Sequence, residues 1–286
     1  MYQRQALLMA VFLLLMSYVS LVAFGQEYVV ERDMRYGLVE GSELLLDLAG
    51  PAEGNGPFPA LVFIHGLGGL RHSYDPQIVS AAKRGYVAVT IDWLEPRVTA
   101  DGFKYTFPAQ VEGDKCAVRW LRANATKYKI DTNHIGVIGW SAGGTQALMI
   151  GFTDQSDGLE GNCGELSYSS RVQAVVNIAG VAFLTGTSGS EEILIGGTFD
   201  EMPEKYRQAS PLTYVSSDDP PVLTWHGEND PYIPVEQALL LDQKMREVGV
   251  PHLLIIGKGG GHYIPGSFFE EDYPLWDFLD RYLKSK

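Results

Sequence analysis

The feature that most constrains the fold is a series of short runs that are apolar at nearly every position. These runs are ALVFIHG, YVAVTID, HIGVIGW, VQAVVNIAG, VLTWHG and HLLIIG. Strands that are apolar on both faces are typical of a parallel sheet covered by helices on both sides. Two earlier runs, YVVERDMRYG and SELLLDLAG, are predicted to form a pair of strands that turns at Gly41.

Helical patterns separate most of these runs. The stretches DKCAVRWLRANATKY, VEQALLLDQKMREVG and DYPLWDFLDRYLKSK follow the helical period. The predicted buried stripes are Leu239, Leu240, Met245 and Val248 in the second helix, and Leu275, Trp276, Leu279, Tyr282 and Leu283 in the third. The alternation predicts an α/β fold with a mostly parallel sheet flanked by helices. Because ligands bind at the carboxyl ends of such strands, the functional loops should follow the apolar runs.

The first residues have the pattern of an export signal. Arg4 precedes a run of 19 mostly apolar residues, and Ala23-Phe24-Gly25 places small residues two apart, as before a cleavage site. We expect residues 1–25 to be this signal, residues 26–286 to form a single domain, and the protein to be secreted or periplasmic. An uncleaved membrane anchor is the alternative, since the run is nearly long enough to span a bilayer.

Export bears on the oxidation state of the two cysteines. In an oxidising compartment Cys116 and Cys163 could form a disulfide, and two unpaired buried thiols are the alternative. Two cysteines without a histidine cluster nearby make a poor metal site, and no calcium-binding loop is visible, so no metal is expected.

A net charge of −13 argues against nucleic acid and against anionic lipid as partners. The oligomeric state stays open.

One serine has the surroundings of a nucleophile. Gly139-Trp140-Ser141-Ala142-Gly143 matches G-x-S-x-G, with a strand pattern before it and a helix pattern after it. Such a sharp turn strains the serine backbone and leaves room only for very small residues two positions away. We therefore predict that Ser141 is a nucleophile; an ordinary hydroxyl in a tight turn is the alternative.

The acid and the base are expected after later strands. In VLTWHGENDPYIP, Asp230 ends the polar loop that follows the strand, and Glu228 competes with it in the same loop. Asp218 and Asp219 precede that strand and so lie at the wrong end of the sheet. His262 ends a glycine-rich loop after the last strand, which completes the chain order Ser, Asp, His.

The other five histidines fit the role of base less well. Each lies at the start of a strand, in a turn at a strand end, or away from any partner motif; they are His65, His72, His134, His226 and His252. We expect His65 and His226 to shape the loops that they open.

An oxyanion site completes the predicted constellation. Backbone N–H groups that face the developing oxyanion each contribute about 3 kcal/mol to catalysis. The N–H of Ala142, directly after the nucleophile, is the first candidate. The loop His65-Gly66-Leu67-Gly68-Gly69 follows an early strand and offers the second donor, with Leu67 preferred to Gly68.

These motifs resemble the α/β-hydrolases, in particular the esterase group that includes bifunctional feruloyl and acetyl-xylan esterases and dienelactone-hydrolase-like enzymes. The resemblance rests on HGLGG, FPAQVEGDKCAVRWLRANA, IGVIGWSAGG, ASPLTYVSSDDPPVLTWHGENDPYIPVEQA and GKGGGH. It implies an ester substrate, neither metal nor cofactor, and triad roles for Ser141, Asp230 and His262.

The chain departs from this group at two places. Many relatives carry H-G-G-G-[WF] at the oxyanion loop, where this chain has Leu67 and Gly69, and many carry D-Y-R where it has Asp92-Trp93-Leu94. The first departure preserves the backbone donors but changes the acyl pocket. No large cap domain is expected, and Phe183 to Gln208 is the longest candidate lid; its few apolar residues favour an open cleft and short acyl groups.

The leading hypothesis is therefore an exported serine carboxylesterase that forms an acyl-enzyme and acts on short acyl, polysaccharide or aromatic esters. A polyester or cutinase-like hydrolase and a peptidase similar to prolyl oligopeptidases are the alternatives with the same residues. A relative that binds ligands without catalysis is a further alternative.

Overall fold

The computed structural model describes residues 27–39 and 41–284. Its strands are β1 (Tyr28–Val39), β2 (Ser42–Pro51), β3 (Phe58–Ile64), β4 (Val87–Ile91), β5 (Arg97–Thr99), β6 (Gly102–Lys104), β7 (Ile130–Trp140), β8 (Ala174–Ile178), β9 (Val222–Gly227) and β10 (His252–Gly257). Eight of these form one sheet in the order β1-β2-β4-β3-β7-β8-β9-β10. The pairs β1·β2 and β2·β4 are antiparallel, and the other five pairs are parallel.

Helices flank this sheet on both faces. They are α1 (Asp75–Lys83), α2 (Ala109–Ala123), α3 (Ala125–Tyr128), α4 (Ala142–Phe152), α5 (Gly189–Ile195), α6 (Pro203–Gln208), α7 (Glu236–Val248) and α8 (Pro274–Leu283). One apolar core joins the sheet to α2, α4 and α7, and a second joins the opposite face to α1 and α8. The predicted α/β architecture with a mostly parallel sheet is confirmed.

The predicted strand pair is present, whereas one predicted helix has different bounds. The strand pair that turns at Gly41 is present as β1 and β2, and Gly41 has a φ of 80°. The predicted helix before the serine begins earlier, at Ala109, and is interrupted at Asn124.

The buried stripe of α7 was predicted correctly at Met245 and Val248 and wrongly at Leu239 and Leu240. Leu239 is 49% exposed and Leu240 is 39% exposed, whereas Ala238, Leu241 and Met245 are buried. Residues three and four apart share a helix face, so the stripe that runs from Ala238 turns Leu239 and Leu240 outward. In α8, the predicted Leu275, Trp276, Leu279 and Leu283 are buried, and so is Phe278.

The segment that follows α4 is attached to α2 by covalent and ionic contacts. A disulfide joins Cys116 to Cys163 across 47 residues. Lys115 and Arg119, both buried in α2, each pair with Glu160 at 2.6 Å. Burial lowers the pKa of Lys115, and the Glu160 carboxylate opposes this effect by favouring the ammonium form.

The candidate lid lies within the segment between β8 and β9, residues 179–221. It contains α5 and α6, which pack against α2 and α4 around a third apolar cluster. Leu184, Ile195 and Tyr206 are buried in this cluster. The segment is therefore anchored to the domain by its own small core and forms one wall of the space above β7 and α4.

Within the described part of the chain, no helix is long and apolar enough to cross a membrane. The predicted export signal, residues 1–25, lies outside the described residues.

Candidate active site

Ser141 lies at the turn between β7, which ends at Trp140, and α4, which begins at Ala142. Its backbone has φ 57° and ψ −122°, a left-handed conformation that costs a non-glycine residue on the order of 1–3 kcal/mol. The N–H of Ser141 donates to the carbonyl of Ile178 at 2.8 Å, which holds the turn against the end of β8. The strained turn lifts the hydroxyl above the carboxyl edge of the sheet.

The two outer glycines of the motif leave no room for a side chain. A Cβ at Gly139 would overlap the carbonyl of Gly143, and a Cβ at Gly143 would overlap the carbonyls of Ile64 and His65. The helix can begin directly after the strand only because both positions lack this atom. This packing explains the spacing of G-x-S-x-G in the sequence.

His262 lies between Ser141 and Asp230. Its Nδ1 is 2.6 Å from Asp230 Oδ2, and its Nε2 is 2.9 Å from Ser141 Oγ. We assign the proton to Nδ1, because a carboxylate can only accept, and Nε2 then accepts from the serine hydroxyl. The structure therefore brings together the three predicted residues in the order serine, imidazole, carboxylate.

The backbone of His262 is held by the residue before the serine. The indole N–H of Trp140 donates to the carbonyl of His262 at 2.9 Å, and the two rings lie 5.3 Å apart. His262 is 8% exposed although it belongs to a glycine-rich loop. Trp140 thus gives the imidazole a defined position above the sheet edge.

The side chain of Asp230 is fully buried and has partners on both oxygens. Its Oδ1 accepts the backbone N–H groups of Tyr232 at 2.9 Å and Ile233 at 3.0 Å. His226 lies beside it, with Nε2 3.5 Å from Oδ2 and 2.8 Å from the carbonyl of Ile233. Burial lowers the pKa of His226, so this imidazole stays neutral near neutral pH.

The competing acids lie elsewhere. Glu228 accepts the N–H of Gly259 at 2.8 Å and so bridges the loops after β9 and β10. Asp218 and Asp219 precede β9, at the opposite end of the strand from Asp230. Of the two acids that the sequence left open, Asp230 and Glu228, Asp230 is the one in contact with His262.

The remaining histidines have structural partners. His134 contacts Asp131, His252 contacts Asp242 and Thr224, and His72 contacts Asp47.

His65 Nδ1 is 2.9 Å from the carbonyl of Gly66, within the predicted oxyanion loop. Burial lowers the pKa of His65, so it too stays neutral near neutral pH.

The predicted oxyanion donors differ in their hydrogen bonds. The N–H of Gly68 donates to Glu95 Oε1 at 2.8 Å, so it already has an acceptor outside the cleft. Leu67 lines the cleft together with Ser141 and Ala142. The N–H of Ala142 belongs to the first turn of α4, where amides have no acceptor within the helix. Leu67 and Ala142 are therefore better placed than Gly68.

A cleft of about 490 Å³ opens beside Ser141. Its lining includes Thr145, Val181, Leu194 and Tyr232. A small adjoining cavity of about 30 Å³ shares Ala142, Thr145 and Leu194 with the cleft. Most of its other walls are apolar side chains, namely Phe107, Val111, Met149, Leu184, Ile195 and Ala209.

One set of described side chains has donor types and spacing suited to a metal ion: Asp47, His72 and Asp75. However, Arg32 contacts Asp47 at 2.8 Å and Asp75 at 2.9 Å, and Arg71 contacts Asp47 at 3.1 Å. Two guanidinium groups at these carboxylates repel a further cation. The set is therefore an ion-pair network that joins the edge strands to the start of α1.

A model of the BD-FAE family matches residues 46–245, more than half of the chain. This chain belongs to the BD-FAE family of esterase domains. Esterase LipC of Mycobacterium tuberculosis is 33% identical over 227 residues, which cover 72% of this chain and 53% of LipC. The chain spans about half the length of the curated relatives that it matches first.

Two solved structures support the same fold for the BD-FAE domain. A truncated carbohydrate esterase from gut microbiota superposes with a TM-score of 0.76 at 26% identity, covering 92% of this chain and 99% of that one. A bifunctional GH43-CE protein of Bacteroides eggerthii has a TM-score of 0.76 at 28% identity, covering 88% of this chain and 38% of that one. The architecture is that of the α/β-hydrolases.

Several residues that shape the BD-FAE site were not singled out from the sequence. Trp93 and Glu95 contact the oxyanion loop, and Trp140 contacts His262. Trp140 belongs to the G-x-S-x-G motif, so its position next to the serine was visible in the sequence. The contacts of Trp93 and Glu95 join residues 27 or 28 positions apart and leave no local pattern.

Proposed function

We propose that this protein is a carboxylesterase that hydrolyses esters through an acyl-enzyme on Ser141. The observation that carries the proposal is the continuous hydrogen-bonded series Ser141–His262–Asp230 at the mouth of a cleft. Membership of an esterase family and the similarity to LipC support the same activity.

In the proposed reaction His262 Nε2 accepts the proton of Ser141 Oγ as that oxygen attacks the ester carbonyl. The N–H groups of Leu67 and Ala142 stabilise the oxyanion of the tetrahedral intermediate. His262 then donates its proton to the leaving alcohol, and the acyl group remains on Ser141. A water molecule, deprotonated by His262, attacks the acyl-enzyme and releases the acid.

The carboxylate of Asp230 keeps His262 in the tautomer that this sequence of steps requires. Its Oδ2 accepts from Nδ1, which leaves Nε2 unprotonated and facing the serine. When the imidazole takes the serine proton, the adjacent carboxylate stabilises the cation. The backbone donors of Tyr232 and Ile233 keep the carboxylate from rotating away.

Two features of the cleft favour a short acyl group on a ring-shaped alcohol. The cavity next to Ala142 has a volume of about 30 Å³, comparable to the space of one water molecule in the liquid. Near His262, Tyr232 and Tyr263 are 67% and 73% exposed, and their rings lie 5.3 and 6.2 Å from that of His262. Because His262 protonates the alcohol in the proposed reaction, the leaving group lies close to these rings.

The structural neighbours are consistent with a saccharide as the alcohol, since one is described as a carbohydrate esterase. An aromatic ester or a polyester would use the same surface. We further propose that the protein is exported as a single domain, which the buried disulfide between Cys116 and Cys163 supports.

Hydrolysis of a p-nitrophenyl ester series from acetate to palmitate tests the proposal, with the Ser141→Ala variant as the blank. We expect a serine-dependent rate that is highest for the acetate-to-butyrate esters and that falls by roughly a millionfold in the variant. A maximum at long chains would contradict the short acyl group and indicate a lipase.

Two further assays separate the alternatives. Hydrolysis of peptide amides in place of esters would favour the peptidase. Failure of a fluorophosphonate probe to label Ser141 would favour a protein that binds ligands without catalysis.

A further inference from the structure

The segment that follows β4 contacts the oxyanion loop, residues 65–69, at two points. The indole N–H of Trp93 donates to the carbonyl of His65 at 3.1 Å. Glu95 Oε1 accepts the N–H of Gly68 at 2.8 Å and lies 3.8 Å from His65 Nδ1. Trp93 is buried, whereas the Glu95 side chain is 29% exposed. Glu95 is not among the residues that line the cleft.

The loop forms a β-turn at the point where Glu95 binds, and glycine at position 68 would permit a second type of turn there. The N–H of Gly69 donates to the carbonyl of Gly66 at 3.0 Å, which closes a β-turn, and Gly68 in that turn has a φ of 75°. A positive φ at this position is the mark of a type II turn. Rotation of the peptide between Leu67 and Gly68 would convert it to type I, which glycine also permits.

The carboxylate of Glu95 selects one of these conformations. In the observed turn it receives the N–H of Gly68. In the rotated turn the carbonyl of Leu67 would face the same carboxylate, and two acceptors would repel each other. Leu67 itself is 37% exposed, so packing alone does not fix the loop.

We propose that Glu95 is a positioning residue of the oxyanion site: its hydrogen bond to the N–H of Gly68 anchors the loop directly after Leu67, whose N–H is the proposed oxyanion donor. This inference rests on the proposed function, because Leu67 matters only if an oxyanion forms at Ser141. Glu95 does not touch the substrate, so its removal should weaken binding of the transition state and leave binding of the ground state intact.

Glu95→Ala removes the acceptor, and Glu95→Gln retains an amide oxygen in its place. We expect kcat for p-nitrophenyl acetate to fall by a factor of about 10 to 100 in the alanine variant, because small misplacements of catalytic groups can cost that much. KM should stay within about twofold. The glutamine variant should recover most of kcat. Asp101→Ala, which removes an exposed carboxylate between β5 and β6, serves as the control for charge.

A second readout distinguishes positioning from general destabilisation. A trifluoromethyl ketone that forms a tetrahedral adduct with Ser141 should lose affinity in Glu95→Ala by the same factor as kcat. A non-hydrolysable amide analogue of the substrate should bind equally well. The melting temperature of each variant is measured alongside.

The outcomes separate this inference from the proposed function. Hydrolysis that persists in Ser141→Ala overturns both. An inactive Ser141→Ala together with a fully active Glu95→Ala overturns the role of Glu95 alone. A glutamine variant as impaired as the alanine variant, or equal losses for the ketone and the amide, also overturns it.

Discussion

Replacement of Asp230 by asparagine tests the proposed mechanism at the atom on which it depends. Oδ1 of Asp230 accepts two backbone N–H groups, at 2.9 and 3.0 Å, and Oδ2 faces His262 at 2.6 Å. In the variant the amide oxygen must occupy the Oδ1 position, because an NH₂ group there would oppose two donors. The NH₂ group therefore faces His262 Nδ1 and donates to it.

This reversal forces the imidazole into the wrong tautomer. With Nδ1 accepting, the proton resides on Nε2, which can no longer accept from Ser141. The variant loses the charge-assisted hydrogen bond between His262 and the carboxylate, which is worth about 3 kcal/mol. About 1 kcal/mol more is needed to break the new hydrogen bond from the asparagine NH₂ group to Nδ1. A sum of about 4 kcal/mol corresponds to about a thousandfold in rate, and other hydrolases with such a triad lose about 10⁴ on the same change.

The assay is kcat/KM for p-nitrophenyl acetate together with the rate of fluorophosphonate labelling, which both require an activated serine. Glu228→Gln is the matched control, since this residue lies in the same loop, and glutamine can still accept the N–H of Gly259. We expect Asp230→Asn to lose three to four orders of magnitude in both assays with an unchanged far-UV spectrum. A loss of less than tenfold, or an equal loss in Glu228→Gln, would refute the reasoning.

Three further predictions concern stability and specificity. Replacing Cys116 and Cys163 by alanine should lower stability by about 4 kcal/mol, since the disulfide closes a separation of 47 residues, and calorimetry should show the melting temperature falling by roughly 8 °C. Burial raises the pKa of Asp219 to about 6, so the folded state binds the extra proton and stability should fall as the pH rises from about 4 to 6. Asp219→Asn should abolish this part of the pH dependence in urea titrations, and identical curves for both proteins would contradict it. Tyr232→Ala should raise KM about fivefold for an acetylated sugar but leave KM for ethyl acetate unchanged. The sugar ring can stack on the tyrosine, whereas the ethyl group is too small to do so.

The candidate triad could be predicted because each residue lies at the end of a strand or in the loop that follows it. Ser141, Asp230 and His262 come after three of the apolar runs, and parallel strands bring their carboxyl ends to one edge of the sheet. The same reasoning separated Asp230 from Asp218 and Asp219. It needed only strand direction, which the alternation of strands and helices already indicates.

Features that depend on side-chain packing between distant segments could not be predicted in this way. Leu67 was already preferred to Gly68 from the sequence, but the hydrogen bond that occupies the N–H of Gly68 comes from Glu95, a residue 27 positions further along the chain. The exposure of Leu239 and Leu240 depends on the rotation of α7 against the sheet, which a run of three leucines does not define. Periodicity predicts that a face is buried, but a uniformly apolar run leaves the face ambiguous.

Acyl specificity is the clearest example of such long-range dependence. The cavity next to Ala142 has walls from α2, α4 and α5, where Val111, Met149 and Leu194 come from three segments that share no motif. The serine turn, by contrast, is defined within five consecutive residues. Chains with the same triad can therefore differ in the acyl group that they accept, because the chemistry is set locally at one sheet edge whereas the size of the pocket is set by how α5 packs on the helices below it.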